Sequence, residues 1–215
     1  MKKFEAVIYD LDDTIFPTKT IHKEVVKPVL DAIVKYNEGT LSEASLSDAL
    51  SDCYKHSLRD VAVMYGFTRK MYEKALKAFS YLKIDYQLRT YPDYTCIGQI
   101  PGLRLLVTSG YTSFQNLKIS NLGIAQDFEE IFIHDNEKSS FLGKVEIFRH
   151  IQEKYNLASE DVLVIGDNPI SEIAAGNELK MNTVQILREG VIKNESAKNH
   201  IQNFHELIPD HKNTN

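Results

Sequence analysis

Ala6-Val-Ile-Tyr-Asp-Leu-Asp-Asp-Thr-Ile-Phe-Pro17 joins an apolar run to three acids within four residues. The run that begins at Phe4 and ends at Tyr9 has the character of a strand buried on both faces. Asp10, Asp12 and Asp13 follow, with Thr14 behind them. Charge is costly in a core unless it is paired or coordinated, so these acids mark the place where a strand stops and a rim begins. The plainer reading of the same residues is a solvated turn, or the N-cap of the next helix.

Four more runs have the strand character of residues 4–9: 103–107, 130–134, 162–165 and 182–187. Between the later ones lie helical spacings. Phe114, Leu117 and Ile124 flank one; Val145, Phe148, Ile151 and Tyr155 mark a second; Ile173, Ala174 and Leu179 mark a third. Alternating strand and helix predicts an α/β fold, a parallel sheet with helices on both faces.

Residues 16–92 break that alternation. Ile21, Val25, Val26, Leu30, Ile33 and Val34 repeat at helical spacing, with Pro28 expected to kink or restart the helix. Leu46, Leu50, Cys53, Leu58, Val61 and Tyr65 continue the pattern up to Gly66, a natural helix stop. Thr68 is placed to cap a further stripe through Met71, Ala75, Leu76, Phe79 and Leu82. With no strand among them, these helices read as an all-helical insert after the first strand, with Pro17 and Pro92 near its crossings. The expected division is a core of residues 1–15 and 93–215 and a helical domain of residues 16–92. Their apolar stripes are read as packing.

Three strand runs end in polar residues: Asp10 after the first, Thr108-Ser109-Gly110 after the second, and Gly166-Asp167 after the fourth. Open parallel sheets bind ligands at the carboxyl ends of their strands. Asp10, Thr108 and Asp167 are therefore expected on one rim.

Composition narrows the partners. A hydrophobic share of 43% over 215 residues is ample for a core without disulfide staples. The net charge of −5 is spread along the chain with no basic stripe, which argues against a nucleic acid polymer. Cys53 and Cys96 lack metal or redox spacing and suit a reduced, cytoplasmic setting. The apolar run after Lys2 and Lys3 is too short for a signal peptide, and no segment is long enough to span a membrane.

Taken together, these motifs resemble the haloacid dehalogenase superfamily of phosphatases and phosphotransferases. The first family motif, Asp-x-Asp-x-Thr after a strand, is matched by Asp10, Asp12 and Thr14. Thr108 matches the second, Lys144 at a helix start the third, and the acidic pair Asp167 and Glu172 the fourth. Glu172 stands where the family more often has Asp. Val145 follows Lys144 where many members have Pro, and Lys138 is a second candidate for the lysine.

The resemblance implies a Rossmann-like core with a helical cap, and a magnesium-dependent phosphatase acting on a small-molecule phosphate ester. Asp10 would be the nucleophile, forming an aspartyl-phosphate, and Asp12 the general acid and base. Thr108, Ser109 and Lys144 would bind the phosphate. Mg2+ would be held by Asp10, the Asp12 backbone carbonyl and Asp167, with Glu172 holding a water or completing the outer shell. Asp13 is expected to make local hydrogen bonds or to cap, and Thr14 to bond backbone or the neighbourhood of the nucleophile. Phe16, Lys19 and Tyr91 sit near the crossings and are assigned to hinge packing. A phosphomutase would share all these residues, whereas a dehalogenase has no need of the acid at Asp12. A phospho-accepting signalling domain is a further alternative, with Asp135 after the third strand run as its acceptor.

Overall fold

The computed structural model describes residues 3–54, 56–135 and 143–209. Six strands, β1 (Ala6–Tyr9), β2 (Leu103–Ser109), β3 (Glu130–His134), β4 (Val162–Gly166), β5 (Asn182–Ile186) and β6 (Asn199–Ile201), form one sheet. Their order is β3-β2-β1-β4-β5-β6, and every pairing is parallel. The chain moves outward one way from β1 through β2 to β3, then crosses back to β4 on the other side. β1 thus lies at the switch point of a Rossmann-like α/β fold, where a crevice opens at the carboxyl ends of the strands. Tyr9 pairs with Leu106 on one side and Ile165 on the other, so the ends of β1, β2 and β4 meet at one rim.

Alternate residues of β1 feed two cores. Val7 and Tyr9 pack with Leu106, Leu163 and Ile165 on one face of the sheet. Ala6 and Ile8 pack on the other with Leu105, Val164, Ile147 and Ala175, the last two from α6 (Lys144–Tyr155) and α7 (Glu172–Glu178). Burial on both faces explains why these strands read as continuous apolar runs. The three-residue β6 has no such signal and goes unpredicted.

Between β1 and β2 the chain makes α1 (Lys23–Tyr36), α2 (Glu43–Asp52), α3 (Leu58–Tyr65) and α4 (Arg69–Ala78). Val29, Ile33, Leu58, Met71, Ala75 and Leu82 form their own buried cluster. The helix does not restart at Pro28, because packing of Val29 and Ile33 against α4 offsets the one hydrogen bond that proline removes. The pattern over residues 46–65 is two helices rather than one. Ser57 interrupts it by capping α3, its hydroxyl accepting the Asp60 N–H at 3.1 Å. Thr68 caps α4 through the Met71 N–H, and Gly66 ends α3 in the left-handed conformation. No helix among the described residues is long and apolar enough to cross a membrane.

The two crossings into this helical segment are bound to each other and to the sheet. The Tyr91 N–H donates to the Ile15 carbonyl at 2.9 Å. Arg188, just beyond β5, donates twice to the Thr14 carbonyl, at 2.8 and 3.1 Å, and once to Asp93 at 3.0 Å. Its guanidinium also lies 4.0 Å from the Tyr91 ring centroid. Phe16 is fully buried at the first crossing and Lys19 pairs with Glu189, so all three expected hinge residues make packing or pairing contacts there.

Asp93 and Arg188 are both buried, and removing Arg188 leaves the Asp93 carboxylate without its counter-charge, held by the Phe204 N–H at 2.7 Å. Arg188→Met is expected to lower unfolding free energy by about 3–5 kcal/mol in denaturant titration. A loss below about 1 kcal/mol, as for an exposed pair, is the contrary result.

Candidate active site

Asp10 directly follows β1, and its N–H still donates to the Ile165 carbonyl of β4 at 3.0 Å. Lys144 and Glu172 are the first residues of α6 and α7. The Lys144 ammonium donates to Asp10 at 2.6 Å and to Glu172 at 2.8 Å. The other Glu172 oxygen accepts the Asn168 N–H at 2.7 Å. Asp167 accepts the Thr14 hydroxyl at 3.2 Å. Gly166 leaves room for this, since a Cβ there would collide with the Glu172 carboxyl. Asp10, Asp167 and Glu172 each offer an oxygen within 4.8 Å of the other two.

Such a cluster carries more negative charge than Lys144 can offset. Burial, with repulsion from Glu172 and Asp167, outweighs the Lys144 charge and holds the Asp10 pKa well above the carboxylate range. Burial, then Glu172 and Asp13, pushes Asp167 up to about 7. Burial works against the charge on Lys144, but Asp10 and Glu172 more than offset it and its pKa is raised. Three oxygen donors with surplus negative charge suit a hard divalent cation.

A second group lies on the β2 side. Asp12 accepts from Lys118 through both oxygens, each at 2.6 Å, and from Gln115 at 3.0 Å. Gln115 also donates to the Thr108 hydroxyl and to the Ser109 carbonyl, each at 2.7 Å. As acceptor in that bond, Thr108 keeps its own hydroxyl hydrogen for another partner. Ser109 ends β2 with its residue exposed. The Asp12 carboxylate is not one of the three clustered carboxylates; only its backbone carbonyl was expected at the metal.

Lys118 and Gln115, both on α5 (Thr112–Leu122), were not anticipated from the sequence. Both are buried, while Phe114 and Leu117, each one position before them, are only half-buried. Polar residues spaced for one helix face, just after the rim of β2, were the available signal. Asp13 accepts the Thr18 N–H at 3.0 Å and its hydroxyl at 2.7 Å, the local role expected of it. Asp135 accepts the Thr112 N–H and hydroxyl, each at 2.8 Å, and so anchors the start of α5. Lys138 lies outside the described residues.

The chain matches the haloacid dehalogenase-like hydrolases over residues 4–179 and belongs to that family. It is 27% identical to a glyceraldehyde 3-phosphate phosphatase of Methanopyrus kandleri, over 86% of this chain and 84% of that one. Among solved structures it resembles a haloacid dehalogenase-like hydrolase, SP0104 of Streptococcus pneumoniae, with TM-score 0.62 and 13% identity, over 96% of this chain and 98% of that chain. The HAD-hydrolase YfnB of Bacillus subtilis, solved bound to magnesium, gives TM-score 0.60 at 16% identity, over 96% and 97% of the two chains. At these identities the structural matches speak for the fold.

The raised carboxyl of Asp167 has a consequence for stability. With a folded pKa of about 7 against an ordinary 3.8, its stabilising contribution is present below the ordinary value and lost as pH rises through the folded one. In chelator, unfolding free energy is expected to fall from about pH 5 to about pH 8, with Asp167→Asn recovering on the order of 2 kcal/mol of that loss. Denaturant titrations at the two pH values measure it; an unchanged slope in the variant contradicts the assignment.

Proposed function

We propose that this haloacid dehalogenase-like hydrolase is a magnesium-dependent phosphatase that cleaves a small phosphate monoester through an aspartyl-phosphate on Asp10. The observation that carries this reading is the meeting of Asp10, Asp167, Glu172 and Lys144 at the carboxyl end of β1, in the crevice that holds Thr108 and Asp12. The phosphatase of Methanopyrus kandleri supports the reaction class.

The donor set fits Mg2+: Asp10, Asp167 and the Asp12 carbonyl would hold it, with Glu172 completing the outer shell. Bound there, the ion supplies positive charge to the phosphoryl oxygens. The protein's own groups do the rest. A carboxylate oxygen of Asp10 forms a bond to phosphorus as the bond from phosphorus to the alcohol oxygen breaks. Asp12, as general acid, gives a proton to the departing oxygen. Water then attacks phosphorus and passes a proton to Asp12, the bond from Asp10 to phosphorus breaks, and inorganic phosphate leaves. Asp12 ends as it began.

Lys144 keeps Asp10 aligned and adds charge beside the phosphoryl group. Thr108 donates its free hydroxyl hydrogen to a phosphoryl oxygen, and Ser109 lies next to it on the same rim. Gln115 ties Thr108 to Asp12, which fixes the spacing between the phosphate end and the proton donor. In this reading residues 16–92 form a cap over a core of residues 1–15 and 93–215, and closure of the cap excludes water from the first step.

Asp10→Asn and Asp12→Asn are each expected to lower kcat on an alkyl phosphate about a thousandfold or more with circular dichroism unchanged. Chelation is expected to abolish turnover and Mg2+ to restore it. Near wild-type turnover in Asp10→Asn rules out the assigned nucleophile.

A further inference from the structure

A cavity of about 470 Å³ opens beside the proton donor. Asp12, Ser109 and Lys118 lie at its inner end. From there it runs beneath the helical segment, between α1 and α3 on one side and the start of α5 on the other. Val29, Leu30 and Leu58 form one wall. Phe79, Tyr111 and Phe114 form the other, with Phe79 and Tyr111 stacked at 4.0 Å and Phe114 tilted 6.1 Å from Phe79. Exposed Tyr54, His56 and Ser57 supply polar groups at the outer edge.

The position of this space fixes what it can hold. In the reaction above, the phosphoryl group lies against Asp10 and the alcohol departs toward Asp12. The cavity that continues past Asp12 therefore receives the alcohol. Among its described lining residues Lys118 is the one Lys or Arg, and it stays at the inner end beside Asp12. A second phosphate or a carboxylate further along the alcohol would lie between the two walls, where none of the described lining residues is a Lys or Arg. Burying an unpaired charge against aliphatic and aromatic walls is strongly unfavourable. A three-carbon polyol would leave much of the volume unfilled and its hydroxyls facing Val29, Leu30 and Phe79. Apolar cavities of a few hundred Å³ with polar groups at one end suit a compact organic molecule held mainly by its apolar body.

We infer that the substrate is a phosphate monoester of an uncharged alcohol with an aromatic or branched aliphatic body, seated between Leu30 and Leu58 and the Phe79–Tyr111–Phe114 wall. This rests on the phosphatase reading and narrows it.

The test compares 2-phenylethyl phosphate, glycerol 3-phosphate and 2-carboxyethyl phosphate, each an ester of a primary alcohol, so that reactivity differs little and recognition dominates. The phenylethyl ester is expected to have kcat/KM about tenfold or more above either of the others. Leu30→Arg, which touches none of the catalytic groups, is expected to shrink the phenylethyl-to-carboxyethyl ratio at least fivefold by placing a cation in the wall. Equal or better turnover of the carboxyethyl or glycerol ester overturns the inference and leaves the phosphatase reading intact. If no ester is hydrolysed, that reading fails, and calorimetric binding of 3-phenylpropylphosphonate against 3-carboxypropylphosphonate decides the cavity's preference for an uncharged apolar body alone. Tighter binding of the phenyl compound upholds it; equal binding, or none, overturns it.

Discussion

One buried ammonium between two carboxylates is the constraint on which the rest of the site depends. Lys144 bridges Asp10 and Glu172 at hydrogen-bond distance, with all three residues buried and Asp167 close by. Taking such charges out of water costs several kcal/mol per ion unless geometry and further hydrogen bonds compensate. Much of the local architecture serves that compensation. Two helices begin at charged residues that meet each other, Gly166 is bare so that Glu172 can fold inward, and the Asn168 amide and Thr14 hydroxyl satisfy remaining oxygens. The compensation is incomplete: burial and mutual repulsion among the carboxylates keep the pKa values of Asp10 and Asp167 high.

How much of this was legible in the chain depended on whether a residue's partner was local or distant. The strands around Asp10, Thr108 and Asp167 announce themselves because burial on both faces demands uninterrupted apolar residues, and the polar residue that ends each run is then conspicuous. Parallel pairing does the rest, bringing positions 10, 108 and 167 to one rim by register alone. Caps at Ser57 and Thr68 act within one turn, and the sequence carries their residue types openly. Their effects on helix boundaries were harder to weigh, so the break between α2 and α3 was hidden by an apolar spacing that continues across it.

Lys118, Gln115 and the Arg188–Asp93 pair were opaque for a different reason. Each is a common polar residue whose default is a solvated surface, and each meets a partner far along the chain, although Gln115 also bonds the nearby Thr108 and Ser109. Lys118 and Asp12 are separated by 106 positions, and Arg188 and Asp93 by 95. No periodicity encodes such a meeting. The helix that carries Lys118 and Gln115 is also amphipathic in an inverted sense: it turns polar residues toward the site and leaves Phe114 and Leu117 toward the helical segment. An apolar-stripe reading of α5 therefore finds the face that contacts the insert and misses the face that meets Asp12 and Thr108.

That inversion links the two halves of the site. α5 presents Gln115 and Lys118 to Thr108 and Asp12, and Phe114 with Tyr111 to Phe79 of the insert. Its start is pinned by Asp135, so it cannot shift without breaking two hydrogen bonds to Thr112. One rigid helix thus sets the position of Asp12, the proposed proton donor, and supplies part of the apolar wall beside it. The proposed phosphate end, built from the charged residues of β1, α6 and α7, tolerates little change in its ligand. The other end is shaped by the insert and by the apolar side of α5, where substitutions alter volume and polarity without touching a charge. In the proposed phosphatase, selectivity for the alcohol can therefore drift while the phosphoryl chemistry stays fixed, because the two are built from different elements joined at Asp12.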